Sequence, residues 1–329
     1  MAYSSEVVRR ARLKLEGMKA DKESVARERL QTVYQQLPRV REIDVELRKS
    51  MVLATQAVFA GGEDAREALE AVKTANLQLQ AERAQLIENT FGPDYLDESP
   101  VCSHCNGVGY VGSTMCSCLQ ELCRQEQKQE LSLLSCGEGS FEDFDLSYYP
   151  ERTIPGSPFT FRTLMNRTYQ DCKAYAQTFD HHSENLLFSG DTGLGKTFLS
   201  ACIAKTVAEK GYWVAYESAV HLFENLEKAK FSGDQEAARE NEKYTACDLL
   251  IVDDLGTEMA SQFVTTALYT LINDRLLSGK ATIISTNLTG EEMEKRYSSQ
   301  ILSRLRGSYK RMTFVGEDIR IMKNRRKLQ

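Results

Sequence analysis

Gly190-Asp191-Thr192-Gly193-Leu194-Gly195-Lys196-Thr197 fits the pattern G-x-x-x-x-G-K-[ST] at every position. Before it, Asn185-Leu186-Leu187-Phe188-Ser189 reads as a short buried strand; after it, Phe198 to Ala208 reads as a helix. That order of strand, glycine loop and helix separates a phosphate-binding loop from a glycine turn that merely precedes a helix. Glycines let backbone N–H groups turn inward around phosphates, and the helix N-terminus adds its dipole. All eight residues are therefore expected to touch a nucleotide. Lys196 would reach the β- and γ-phosphates, and the Thr197 hydroxyl would ligate Mg²⁺.

About sixty residues on, Leu249-Leu250-Ile251-Val252-Asp253-Asp254 is an apolar strand ending in two carboxylates. Asp253 would hold Mg²⁺, directly or through water, and Asp254 would orient the attacking water as general base. Many nucleotide-hydrolysing sites carry Glu at this second place. The shorter Asp254 implies slow turnover, or help from Glu258. Ile284-Ser285-Thr286-Asn287 ends the next strand, where Asn287 would sit near the γ-phosphate and position water. Arginines crowd the last forty residues; Arg304 and Arg320 are the candidates for stabilising charge on the transferring phosphate. The Lys323-Asn324-Arg325-Arg326-Lys327 run reads as a frayed, solvated tail, with phosphate contact as the alternative.

From about residue 160 onward strand and helix alternate, which predicts a largely parallel sheet with helices on both faces. The expected strands are 185–189, 212–216, 248–253, 281–286 and 311–315, with 231–246 as an exposed helix or loop. Residues 1–95 are instead rich in Glu, Arg, Lys, Gln, Ala and Leu, a helix-favouring composition. Ile43, Leu47, Met51, Ala54 and Val58 form one helical stripe, and Ala65, Leu69, Val72, Leu79 and Leu86 another. Pro38 and Gly61-Gly62 punctuate them. Two or three long helices in an antiparallel hairpin or small bundle are expected, either self-contained or a docking surface for a partner protein.

Between these halves, Cys102, Cys105, Cys116 and Cys118 give C-x₂-C-x₁₀-C-x-C across a loop holding Gly107, Gly109 and Gly112. Two close pairs across such a loop are what a tetrahedral structural Zn²⁺ requires, and the ion substitutes for a core that so short a segment cannot build. The tight C-x-C half leaves His104 and Cys123 as alternative ligands. Cys136, Cys172, Cys202 and Cys247 read as small buried apolar residues. The domains are therefore 1–95 helical and partner-binding, 96–135 zinc-binding, 136–160 linker and 161–329 ATPase. Phe141-Glu142-Asp143-Phe144-Asp145-Leu146-Ser147-Tyr148-Tyr149-Pro150 in the linker is expected to pack on the ATPase domain, because its aromatics need a surface to cover.

A chain of 329 residues with a net charge of −6 excludes a globally basic nucleic-acid coat while allowing a local basic patch. No run approaches the ~18 apolar residues of a membrane span, so no membrane partner is expected. Met1-Ala2-Tyr3-Ser4-Ser5-Glu6 lacks the apolar core of a signal peptide, and Ala2 excludes myristoylation. A cytoplasmic, reducing location follows, where clustered cysteines point to metal.

Together Gly190–Thr197, Asp253-Asp254-Leu255-Gly256-Thr257-Glu258, the Ser285–Leu288 strand end and Ser303-Arg304-Leu305 resemble the AAA+ ATPases of the DnaC/DnaI group, the bacterial replicative-helicase loaders. That resemblance covers roughly the C-terminal half. The 101–119 cysteine segment looks like the zinc module of DnaI-like proteins, and the 141–149 stretch like their linker. The resemblance implies a P-loop AAA+ sheet, ATP with Mg²⁺, and Arg304 as the finger acting on a neighbour's ATP. It makes Arg320 the second sensor arginine, although little chain follows for the helical lid that usually accompanies that sensor. It further implies a hexameric replicative helicase gripped by the front half, single-stranded DNA bound by the ATPase, and self-association through that domain. A transposition helper of the IstB type shares the ATPase half and is the alternative; a binding adaptor with a vestigial ATPase is a third reading.

Overall fold

A computed structural model describes residues 3–60, 63–97, 99–132, 139–232 and 235–327. Met1, Ala2, Gly61, Gly62, Cys136, Gly233 and Asp234, with the side chains of Met51, Ala54, Val58, Ala65, Leu69 and Arg326, lie outside the described residues. The chain divides into two compact units, residues 12–119 and residues 1–11 with 120–329.

The first unit carries most of α1 (Ser5–Gln36), then α2 (Pro38–Ala60) and α3 (Glu63–Phe91). Pro38 opens α2, where a missing N–H costs nothing. Arg39 pairs with Glu82, Asp44 with Arg83 at 2.8 Å, and Ser50 with Asn76, so α2 and α3 run antiparallel. Val33, Val40 and Ile87 are buried together, with Leu86 against them. The expected helical hairpin is present. It is followed by a two-stranded hairpin, β1 (Tyr110–Val111) and β2 (Thr114–Met115).

The second unit begins with α4 (Ser117–Ser132) from Gln120 on and α5 (Phe161–Thr178). Then come β3 (Asn185–Ser189), α6 (Lys196–Glu209), β4 (Val214–Ser218), α7 (Ala219–Ser232), α8 (Gln235–Ala246) and β5 (Leu249–Leu255). It closes with α9 (Gln262–Leu277), β6 (Ala281–Thr286), α10 (Gly290–Arg296), α11 (Ser299–Ser308), β7 (Tyr309–Thr313) and α12 (Ile319–Lys327). The five long strands lie in the order β4-β5-β6-β3-β7, and every neighbouring pair is parallel. The expected parallel sheet flanked by helices is present, with the glycine-rich loop following β3. Side chains alternate across it. Leu186, Phe188, Leu249 and Ile251 face a core with α5 and α6, whereas Leu187, Leu250 and Val252 face one with α7, α9 and α11.

Three strands have bounds other than hydropathy suggested. β5 runs 249–255 rather than 248–253, because Leu255 rejoins the ladder opposite Thr286 beyond a register shift. β4 runs 214–218 rather than 212–216, because its polar end, Glu217-Ser218, stays paired with Val252-Asp253 of β5. β7 runs 309–313 rather than 311–315; as an edge strand it carries exposed Lys310 and Arg311, while Tyr309 is buried. Within 231–246, α8 buries Tyr244 completely, so it has an inward face that its charge conceals. Cys172, Cys202 and Cys247 are buried as expected.

The linker packs on this unit. Phe141 and Tyr149 are buried, and Phe144 stacks on Tyr169 and Tyr149 at 5.3 and 5.7 Å. Tyr149 donates its hydroxyl to the Leu194 carbonyl at 2.8 Å, inside the phosphate loop. Tyr149→Phe removes that bond and is expected to cost about 1 kcal/mol. Trp213, the chain's single tryptophan, lies in this unit, so its fluorescence should report a lower denaturant midpoint at unchanged slope. An unchanged midpoint would mean that the bond contributes nothing.

Candidate functional site

The loop between β3 and α6 departs from ordinary backbone where the motif has glycine. Gly195, the N-cap of α6, has φ 92° and supplies no side-chain cap, so the first N–H groups of the helix are left for a ligand. A Cβ at Gly190 (φ 149°) would run into the Phe314 carbonyl. Lys196 is buried, and its Nζ donates to the carbonyls of Gly190 and Asp191, both at 2.7 Å. Burial pushes its pKa down, Arg320 pushes the same way, and the carboxylates of Asp254, Asp253 and Asp191 oppose them.

β5 brings the opposite charges. Val252 pairs with Ile284 and Leu255 with Thr286, so Asp253 and Asp254 stand against the single residue Ser285. This is a bulge of one residue, which re-aims the side chain that follows. Asp254 takes φ 55°, a left-handed conformation that aspartate tolerates better than most residues. Its N–H donates to Ser285 Oγ at 2.8 Å. Asp253, buried, accepts from Ser285 Oγ and from the Tyr216 hydroxyl at 2.9 Å. Burial raises the Asp254 carboxyl's pKa, the Asp253 charge adds to the rise, and Lys196 and Arg320 pull it back. A carboxylate raised toward the working pH is the better proton acceptor.

Lys196 and Asp254 line a cleft of about 340 Å³, within the range of small-molecule sites. Thr192 to Phe198 form its floor and Asp254 one wall. Arg320 and Lys323 of α12 and Phe144 and Tyr148 of the linker close it. Asp318 caps α12 by accepting from the Arg320 N–H at 2.8 Å, and Ile319 N–H donates to Gly193 O at 3.0 Å, so α12 is fastened to the loop.

Gly190, Asp191, Asp253, Asn287 and Arg304 are not among the residues that line this cleft. Asn287 is exposed at the end of β6, the strand between β3 and β5. Arg304 stacks over the Tyr269 ring at 4.3 Å and donates to Tyr269 Oη and Asn273 Oδ1, so it does not line its own chain's cleft. Glu258 is buried by bonds from Gly256 N–H, Tyr297 Oη and Arg296, and gives Asp254 no help. Tyr216, Ser285, Phe144, Tyr148 and Lys323 were not singled out from sequence as site residues. Tyr216 and Ser285 carry a signal in sitting near the polar end of a strand beside β5, Phe144 and Tyr148 in the aromatic linker, and Lys323 in the basic run after Arg320.

In the other unit, Cys102, Cys105, Cys116 and Cys118 converge, with sulfurs all within 4.8 Å of one another. The Cys102–Cys116 and Cys105–Cys118 separations are 3.8 and 3.4 Å. Four thiolates around a tetrahedral zinc at ~2.3 Å stand about 3.8 Å apart, so the donor set fits. Gly109 N–H donates to Cys105 Sγ at 3.2 Å, a bond that steadies a thiolate. His104 is exposed and outside the group.

The family model described as IstB-like ATP binding protein matches residues 148–327. Among curated proteins, the chain is 26% identical over 151 residues to the replicative helicase loader DnaC of Buchnera aphidicola subsp. Acyrthosiphon pisum, covering 45% of this chain and 61% of that one. It is 27% identical over 150 residues to an ATP-binding protein in an insertion sequence of Mycobacterium tuberculosis, covering 46% and 53%. The chain thus spans only about half to three fifths of these relatives. A crystal structure of the DnaC helicase loader superposes with a TM-score of 0.44 at 19% identity, over 53% of this chain and 98% of that one.

Asp254 gives the site a pH signature. A carboxyl raised by folding lends its full stability below the ordinary aspartate range and loses it as pH rises through the elevated value. Asp254→Asn should therefore raise the unfolding temperature near pH 7, and the gain should vanish as pH falls through that range. An equal gain at both ends of a pH series of Trp213 melts would contradict the raised carboxyl.

Proposed function

For a chain that belongs to the IstB-like ATP binding protein family, we propose the role of an ATP-dependent loader that deposits a replicative DNA helicase on single-stranded DNA. The observation that carries the ATPase half of this reading is the placement of Lys196, Asp254 and Arg320 around one cleft, with Asp253 near enough to act on Lys196. The loop amides of Gly190 to Thr197 hold the phosphates, and Lys196 exchanges its two carbonyl partners for them. Thr197 and Asp253 hold Mg²⁺, which when bound neutralises charge on the phosphates. Asp254 takes the proton of the attacking water, and Asn287 orients that water. Arg320 contacts the phosphates from α12. Arg304 acts on the ATP of a neighbouring copy, which calls for self-association through the 161–329 domain. Turnover is slow and rises with assembly, DNA or partner.

Residues 1–95 and the zinc module at 96–135 grip the hexameric helicase, and 136–160 links them to the ATPase. The long helical front and the four-cysteine group support this, as does similarity to a protein named a replicative helicase loader. The family description and the insertion-sequence relative favour a second reading, a transposition helper acting on target DNA. Among the described residues no helix is long and apolar enough to cross a membrane.

Capture from host extract separates the two. Wild-type protein with ATP should recover a replicative helicase, and Lys196→Ala should lose ATP binding and the ATP-dependence of that recovery. Recovery of a transposase instead would establish the second reading. Purified protein should contain about one zinc per chain. Chelation should unfold the 101–119 segment, seen as loss of amide-exchange protection there; protection unaffected in metal-free protein would remove the zinc assignment.

A further inference from the structure

The hydroxyls that surround Asp253 have no place in the roles assigned above. Ser285 is completely buried, and its Oγ both donates to Asp253 Oδ1 and accepts the Asp254 N–H at 2.8 Å. That N–H belongs to the bulge, where the β5–β6 register shifts. One hydroxyl thus holds the metal-binding carboxylate and the strained residue beside it. On the other side, Tyr216 of β4 donates to Asp253 Oδ2 at 2.9 Å. Tyr216 also meets Ser200 Oγ at 3.1 Å, and Ser200 reaches the Thr197 carbonyl at 3.0 Å. The chain of contacts therefore runs from the first turn of α6, through Ser200 and Tyr216, to Asp253, and on through Ser285 to Asp254.

We propose that Ser285 and Tyr216 are positioning residues that together fix the Asp253 carboxylate for the divalent cation accompanying the nucleotide, with Ser285 also setting the backbone that aims Asp254. Each Asp253 oxygen accepts one bond from this pair and keeps a second lone pair for a cation or its water. A carboxylate tethered at both oxygens is held against the pull of the Lys196 charge. Outer partners of metal ligands contribute in this way elsewhere, at about 10–100-fold in affinity or activity. The inference rests on the nucleotide-site reading and adds to it which side chains make Asp253 a cation ligand.

The test uses the full chain and a fluorescent ATP analogue, titrated first in EDTA and then with Mg²⁺. Tyr216→Phe and Ser285→Ala should each raise the Mg²⁺ concentration at half-effect by about tenfold, while affinity in EDTA stays at the wild-type value. A part played only in packing would lower both affinities together. The proposal is overturned if the Mg²⁺ half-point is unchanged in the variants, or if affinity in EDTA falls by the same factor. Should Ser285→Ala fail to fold, Tyr216→Phe, which removes a single oxygen, decides the matter alone. Wild-type protein that binds no analogue under either condition would instead overturn the nucleotide-site reading itself.

Discussion

An ammonium taken out of water must find compensating charge or surrender its proton. Lys196 is 4% exposed, and its compensation comes from Asp254, Asp253 and Asp191, carried by two segments about sixty residues apart in sequence. A parallel sheet brings those segments to one edge, because every strand then ends on the same side; here β6 lies between β3 and β5. The remaining features follow from that requirement. The bulge at Asp253-Asp254 points a second carboxylate at the cleft, and Ser285 takes up the amide that the bulge would leave without a ladder partner. Strain of about 1–3 kcal/mol at a left-handed non-glycine residue is tolerable only where the surroundings hold it in place. Here a buried hydroxyl and an adjacent parallel strand do so.

Much of this was legible in the chain because it is written in local chemistry. The glycine spacing in 190–197, the apolar run ending in Asp253-Asp254 and the paired cysteines each depend on neighbours close in sequence. So do the strands 185–189 and 281–286, buried almost throughout with an apolar run at their centres. What was not legible depends on edges and on distant partners. β7 carries Lys310 and Arg311 at its exposed edge, so hydropathy placed the strand two residues late. Tyr216 and Ser285 matter only because β4 and β6 flank β5, a fact of strand order that no local pattern carries. Glu258 looked available by its position after Asp254, yet Tyr297 and Arg296 from α10 and its C-cap bind it.

The segment before the ATPase core shows how far a site can extend beyond its motifs. Phe144 stacks between Tyr149 and Tyr169 and lies 6.0 Å from Phe198, the first residue after the loop. A Cβ on Gly195 would meet both Phe144 and the Tyr149 hydroxyl at 3.2 Å. Gly195 is thus constrained twice, by its left-handed φ and by aromatic rings pressed against it, so alanine there would be opposed by the loop and the linker alike. Close-packed interiors transmit displacements of this size and do not absorb them. A phosphate loop that moved would have to carry Phe144 and Tyr149 with it or lose the bond to Leu194. The linker is therefore a wall of the cleft as well as a tether, although no residue in it belongs to a nucleotide-binding signature.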